Sequence, residues 1–334
     1  MFGQACGEGR IEAAGVFMAV GSRAVAALLA TAAVAMSALV ASGVPAAPSA
    51  ANERIAVAAQ IPAAWAPAAA APIRPGVLTE TAGGGLCTSN FVFVSGERTF
   101  LGQAAHCAGT GPDTETDGCT SSTGPLGSTV TVLGTDGSRR IGRLAYSSWI
   151  TMQAGGETDR ATCAANDFAL VELDPADAAA VNPSVPFFGG PTGLATEDLG
   201  GGDEVLGYGS PVARLGRAAL TARIRPKVGI ESGRTGAFAH DVLTLSPGVP
   251  GDSGAGYLTA DGRAFGLLTT LTVDGSGDGI SDGVTDLAAA LGYANANGGL
   301  GEVQLVLGTE PFTAYPPGIP ATELVSPAGP PAGG

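Results

Sequence analysis

Two histidines and a single lysine, Lys227, are all that these 334 residues hold of those types. With so little histidine, and no two cysteines spaced as C-x-x-C, the chain lacks the ligand sets of a zinc site. Positive charge is scarce too: 16 basic against 30 acidic residues leave a formal net charge of −14. That is the wrong sign for a polyanion, so nucleic-acid binding is excluded as a main role. Charged residues make up only 14% of the chain while 45% is apolar, which excludes disorder throughout. The lone lysine is read as a matter of base composition rather than mechanism.

Long apolar runs are missing as well, with one exception. Residues 24–40 are apolar, follow Arg23, and precede Pro45 and Pro48 among small residues. This is the layout of a secretory signal, spanning about 18–50. Glu8 and Glu12 outweigh Arg10 before Met18, so translation is expected to start at Met18. The rival reading is an uncleaved membrane anchor, but a run dominated by alanine inserts weakly. The expected location is therefore extracellular, with membrane contact only during export. Cys6 falls in the part to be removed, leaving Cys87, Cys107, Cys119 and Cys163. An even number in an exported chain predicts two disulfides, with three pairings open.

Glycine is what the chain has in plenty: 53 residues, with 23 prolines. Short apolar runs bounded by Gly, Asp and Ser lie at 90–94, 99–104, 129–133, 141–146 and 168–173. Others follow at 204–208, 218–224, 242–245, 256–258 and 265–271. Many short strands at close spacing predict an all-β barrel or sandwich rather than a parallel sheet. A looser segment at 174–201, with Pro183, Pro186 and Pro191, joins the two sets. Only 285–296 reads as a helix, stopped by Gly298 and Gly299. The expected organisation is a signal over 1–50, an Ala/Pro-rich linker or short pro-segment over 51–80, a globular domain over 81–310 and a disordered tail over 311–334.

Three stretches carry chemistry together. QAAHC (103–107) ends a strand with His106, NDFAL (166–170) sets Asp167 at a strand start, and GDSG (251–254) places Ser253 between glycines. A nucleophile, a base to take its proton and a carboxylate to hold that base in one tautomer are what acyl transfer requires. Glycines beside the serine permit a strained turn whose N–H groups can face an oxyanion. Each stretch alone is weak; the order His, Asp, Ser with a cysteine directly after the histidine is specific.

With these motifs the chain resembles the chymotrypsin-fold (trypsin-like) serine proteases of the bacterial secreted type, over about 81–300. The family patterns T-A-A-H-C, D-x-A-L and G-D-S-G-G-P correspond to 103–107, 167–170 and 251–256. The resemblance implies two antiparallel six-stranded β-barrels, the first over about 81–180 and the second over about 200–310, with a short C-terminal helix. It implies His106 as general base, Asp167 as its orienting carboxylate, Ser253 as nucleophile, and the N–H groups of Gly251 and Ser253 as oxyanion hole. It also implies the disulfide Cys87–Cys107, and with it Cys119–Cys163. VLGYG (205–209) resembles the strand that opens the second barrel, and FGLLT (265–269) the strand lining the substrate.

Departures from the family are informative. Ala255 and Gly256 stand where Gly-Pro is usual, which would strain the turn if Ala255 needed a positive φ. Pro247 takes the pocket position where trypsin-like members carry an aspartate, Thr269 replaces a serine, and Leu271 falls where a pocket wall has glycine. These imply a preference for small or medium apolar side chains over Arg or Lys. In the animal members a freed N-terminus pairs with the aspartate before the nucleophile, here Asp252. No suitable cleavage site precedes Cys87, so an internal arginine is expected instead: Arg214, Arg217, Arg223, Arg225 or Arg234. His240 reads as a surface or barrel-edge residue. The loop 274–282 has alternating acidic positions resembling a calcium loop, but Thr285 sits where the bidentate Glu belongs, and a solvated loop is preferred. The reading is therefore a monomeric secreted endopeptidase acting on proteins or peptides, without cofactor or metal. Its rivals are an inactive binding module of the same fold and an esterase using the same three residues.

Overall fold

The computed structural model describes residues 65–112, 114–210, 225–273 and 280–314. The signal, the first part of the linker, Arg214, Arg217 and Arg223, the expected strand at 218–224, the loop at 274–279 and the tail from 315 onward lie outside these residues. Among the described residues no helix is long and apolar enough to cross a membrane.

The first half builds strands β1 (Leu78–Thr81), β2 (Leu86–Thr88), β3 (Val92–Ser95), β4 (Arg98–Gln103), β5 (Thr129–Leu133), β6 (Arg139–Ser147) and β7 (Ala169–Leu173). Strand β5 shows why such short runs suffice: Val130 and Val132 are buried while Thr129, Thr131 and Leu133 are half-exposed, the alternation of a sheet with one wet face. With β14 (Gln304–Leu305) these strands form an eight-stranded antiparallel sheet in the order β14-β3-β4-β7-β6-β5-β1-β2. The second half builds β8 (Glu204–Tyr208), β9 (Pro226–Arg234), β10 (Ala239–Thr244), β11 (Gly256–Thr259), β12 (Ala264–Val273) and β13 (Ile280–Asp286). These close into a six-stranded barrel in the order β10-β13-β12-β11-β8-β9. Two strand assemblies with few helices make the all-β, double-barrel type of architecture that the motifs led us to expect, but the first assembly has eight strands rather than six, because β14 and the short β2 join its edges.

Several boundaries move. The C-terminal helix is α3 (Leu287–Asn297), capped by Asp286, whose Oδ1 accepts the Ala289 N–H at 2.8 Å. After it the chain returns to the first half, where β14 pairs with β3, so the first sheet draws on both ends of the domain. Two helices were not expected, α1 (Ser148–Gly155) and α2 (Arg160–Ala165). Their sequence signals are terminal: Gly156 ends α1 in the left-handed region, and Asp159 caps α2 through the Thr162 N–H. The expected linker is packed from residue 65 onward: Ala66 N–H donates to Val181 O at 2.9 Å and Ile73 is fully buried. Ile73 and Val77 complete an apolar cluster with Val92, Leu101, Leu173 and Val181, a role the surrounding alanines and prolines conceal in the sequence. At the other end Thr313 N–H still donates to Phe188 O.

One buried cluster unites the halves. Phe91, Phe93, Phe100 and Phe168 from the first meet Leu206, Leu258 and Leu267 from the second, with Leu287 and Leu291 of α3. Fully burying each such side chain stabilises by about 1.5–3 kcal/mol, so this cluster holds the two halves together.

His240, expected at the surface or a barrel edge, lies on barrel strand β10 but is only 2% exposed and stands between two carboxylates. Its Nδ1 lies 3.3 Å from Glu231 Oε1 and its Nε2 3.1 Å from Asp286 Oδ2, which Arg234 also contacts. Burial alone lowers an imidazole pKa, but the hydrogen bonds and charges of Asp286 and Glu231 outweigh it and raise His240 to about 9. The folded pKa lies above the ordinary 6.5, so this contribution is complete below that pH and is lost as pH rises to 9. Its size is on the order of 3 kcal/mol. Thermal melts between pH 6.5 and 9.5 are expected to fall more steeply for the wild type than for His240→Gln; parallel curves would refute this.

Candidate active site

His106 follows the end of β4 in a single 3-10 turn, Ala105–Ala108. Asp167 lies between α2 and β7, and its backbone is held from both sides. The Ser148 hydroxyl, buried at the start of α1, donates to Asn166 O at 2.7 Å and accepts the Phe168 N–H at 3.0 Å. So placed, Asp167 accepts the His106 backbone N–H on Oδ1 at 2.8 Å, and Oδ2 lies 2.6 Å from His106 Nδ1. An ionised carboxylate there requires the ring proton on Nδ1, which leaves the lone pair on Nε2. Trp149 of α1 packs with its ring centroid 6.5 Å from that of His106.

Ser253 sits on the turn before β11. Gly254 has φ +86°, and a Cβ there would come within 2.5 Å of Thr88 O and 2.9 Å of Ala104 N. Glycine is therefore obligatory at 254 on two grounds. Ala255, by contrast, has no positive φ and is fully buried, so the expected strain does not arise. His106, Asp167, Gly251 and Ser253 line one cleft of about 950 Å³ between the halves.

Among the described residues the partner of Asp252 is a lysine rather than an arginine. Lys227, in β9, places Nζ 2.9 Å from Asp252 Oδ2, with the two side chains 1% and 0% exposed. The same ammonium donates to Ser246 O at 2.9 Å. Arg234 instead pairs with Asp198 and Asp286, because β9 runs its end away from the Ser253 turn while its start, at Lys227, reaches Asp252. Burial pushes the Asp252 carboxyl above its usual range, and the Lys227 charge opposes this. The available signal was the setting of that lysine, between Pro226 and Val228 in an apolar run. A charge there must be paired.

Cys87 bonds to Cys107 and Cys119 to Cys163. The first bridge ties β2 to the residue after His106; the second ties the cleft-lining segment near Thr116 to α2. They close separations of 20 and 44 residues, so removing each is expected to cost about 3 and about 4 kcal/mol in the chain-entropy model. Melting of Cys87→Ala/Cys107→Ala and Cys119→Ala/Cys163→Ala chains checks this; unchanged midpoints would refute it. Of the pocket residues, Thr269 and Leu271 line the cleft and Leu271 is 48% exposed there. Pro247 does not line it; Gly248 does. Its N–H donates at 2.7 Å to the buried Asp282, which also accepts the Tyr257 hydroxyl at 2.6 Å.

No protein-family profile matches this chain, and no curated protein does. Among solved structures it is similar to Thermobifida fusca Protease A, at 17% identity and TM-score 0.43, over 71% of this chain and 99% of that one. It is similar to Cellulomonas bogoriensis chymotrypsin at 15% identity and TM-score 0.43, over 70% and 98% of the two chains. A glutamic acid-specific serine protease is matched at 17% identity and TM-score 0.40, over 67% and 98%.

Proposed function

We propose that this protein is a secreted serine endopeptidase that works through His106, Asp167 and Ser253. The observation that carries the reading is the 2.6 Å contact between His106 Nδ1 and Asp167 Oδ2, at the wall of a cleft that Ser253 also lines. Ser253 Oγ attacks the scissile carbonyl carbon and its proton passes to His106 Nε2. Negative charge then collects on the carbonyl oxygen, where the N–H groups of Gly251 and Ser253 receive it. His106 returns the proton to the leaving amine, the C–N bond breaks, and water hydrolyses the Ser253 ester by the same route reversed. Throughout, Asp167 keeps the ring in one tautomer and offsets its positive charge.

Leu271 at the cleft rim favours small or medium apolar residues before the scissile bond. Secretion is supported by the two disulfides, which persist in oxidising compartments. A fluorophosphonate probe applied to culture supernatant is expected to label Ser253, and casein zymography to show a band. No label would favour a binding module; label without casein hydrolysis would favour an esterase.

A further inference from the structure

The turn that carries Ser253 is held by a residue of the other half of the molecule that the three motifs do not include. Thr88 ends β2, directly after Cys87, and is fully buried. Its hydroxyl donates to Gly251 O at 2.6 Å and accepts the Ser210 N–H at 3.1 Å. Its backbone N–H donates to Ser253 O at 2.8 Å. Its carbonyl presses against Gly254, where a Cβ would clash at 2.5 Å. One residue thus touches three of the four positions in 251–254. No hydrogen bond among the described residues engages the N–H of Gly251 or of Ser253.

We infer that Thr88 is a positioning residue whose hydroxyl sets the orientation of the Gly251 peptide, and so the oxyanion hole, from across the cleft. Gly251 is buried and has φ +98°, a region open to glycine in which its peptide has rotational freedom. Without the hydroxyl, its buried carbonyl has no donor. A buried unpaired acceptor is costly, so the Gly251–Asp252 peptide turns about its two Cα atoms, and the adjoining peptides, which carry the Gly251 and Ser253 N–H groups, shift with it. The path from base to nucleophile turn is short: His106, Cys107, the disulfide, Cys87, Thr88, Gly251. The histidine and the oxyanion donors are therefore set against the same β2 anchor, although they lie in different halves.

This inference rests on the proposed hydrolase activity, and its test is chosen so that the two fail separately. Thr88→Val keeps the shape and removes the hydroxyl; Thr88→Ser keeps the hydroxyl. On a peptide chosen by library profiling, Thr88→Val is expected to lower kcat about 10- to 100-fold with KM within threefold, and Thr88→Ser to stay within threefold of wild type. Amide hydrogen exchange over 249–256 is expected to quicken about tenfold or more in the valine variant alone. If Thr88→Val does not fold, Thr88→Ala takes its place in both measurements. Unchanged kcat and exchange in the variant, a serine variant as impaired as the valine one, or a loss confined to KM would each overturn the inference. A wild-type chain that Ser253-directed probes never label, but whose exchange still quickens in Thr88→Val, would sink the hydrolase reading and leave the latch standing.

Discussion

Ser253→Ala is expected to lower turnover about 10⁴-fold or more while the folded structure and substrate affinity survive. The side chain lies in the cleft rather than in the core, so its removal leaves no cavity in the packed clusters. His106→Ala should cost about as much, because a hydroxyl with no base is a poor nucleophile at neutral pH. Asp167→Asn should cost a similar factor by a different route. An amide at 2.6 Å from Nδ1 can present its N–H there and turn the ring to the tautomer with its lone pair on the wrong nitrogen. The three losses are expected to be far from additive, since each disables the same unit. Burst kinetics with an activated ester and single-turnover hydrolysis of a peptide would measure them. Residual activity above about a tenth of wild type in the serine variant would sink the assignment.

Lys227→Met is the second large effect. It removes the charge opposite Asp252 and leaves a buried carboxylate unpaired, a change that costs about 3–5 kcal/mol in comparable sites. It also takes the donor from Ser246 O, at the start of the segment that leads through Gly248 to the nucleophile. Both ends of the 246–252 segment thus loosen together, and catalytic efficiency is expected to fall about 100-fold or more. Adding Asp252→Asn removes the stranded charge and is expected to recover most of the melting temperature but little of the activity, because an amide does not replace the ammonium between Asp252 and Ser246. Because Lys227 supplies the cation from within β9, activity should not depend on trimming at the N-terminus. A recombinant chain beginning near Ala51 behind an uncleavable tag is expected to hydrolyse substrate as fast as the untagged form. A tagged form that stays inert until its N-terminus is cut, or a Lys227→Met chain of normal activity, would refute the internal-cation account.

What the sequence determined by itself is local or compositional. The short apolar runs set most strands, because alternation and glycine punctuation act within a few residues. The His106, Asp167 and Ser253 motifs were legible because each of these residues stands in a short stretch of its own. The C-terminal helix was legible from its alanines and its glycine stop. Only the tertiary structure decided what depends on residues far apart in the chain. Strand β13 interrupts its apolar residues with Asp282, Gly283 and Asp286 and takes its strand form from partners on both sides. Lys227 and Asp252 are 25 residues apart and meet only once the barrel closes; from the sequence only arginines were expected there, and Lys227 was not among them. Thr88 reaches Gly251 across a separation of 163 residues, and nothing within its own neighbourhood marks it, since a buried threonine at a strand end is ordinary until the carbonyl it serves is known. Pairing of buried charges and satisfaction of buried carbonyls are fixed by burial, and burial is a property of the whole fold.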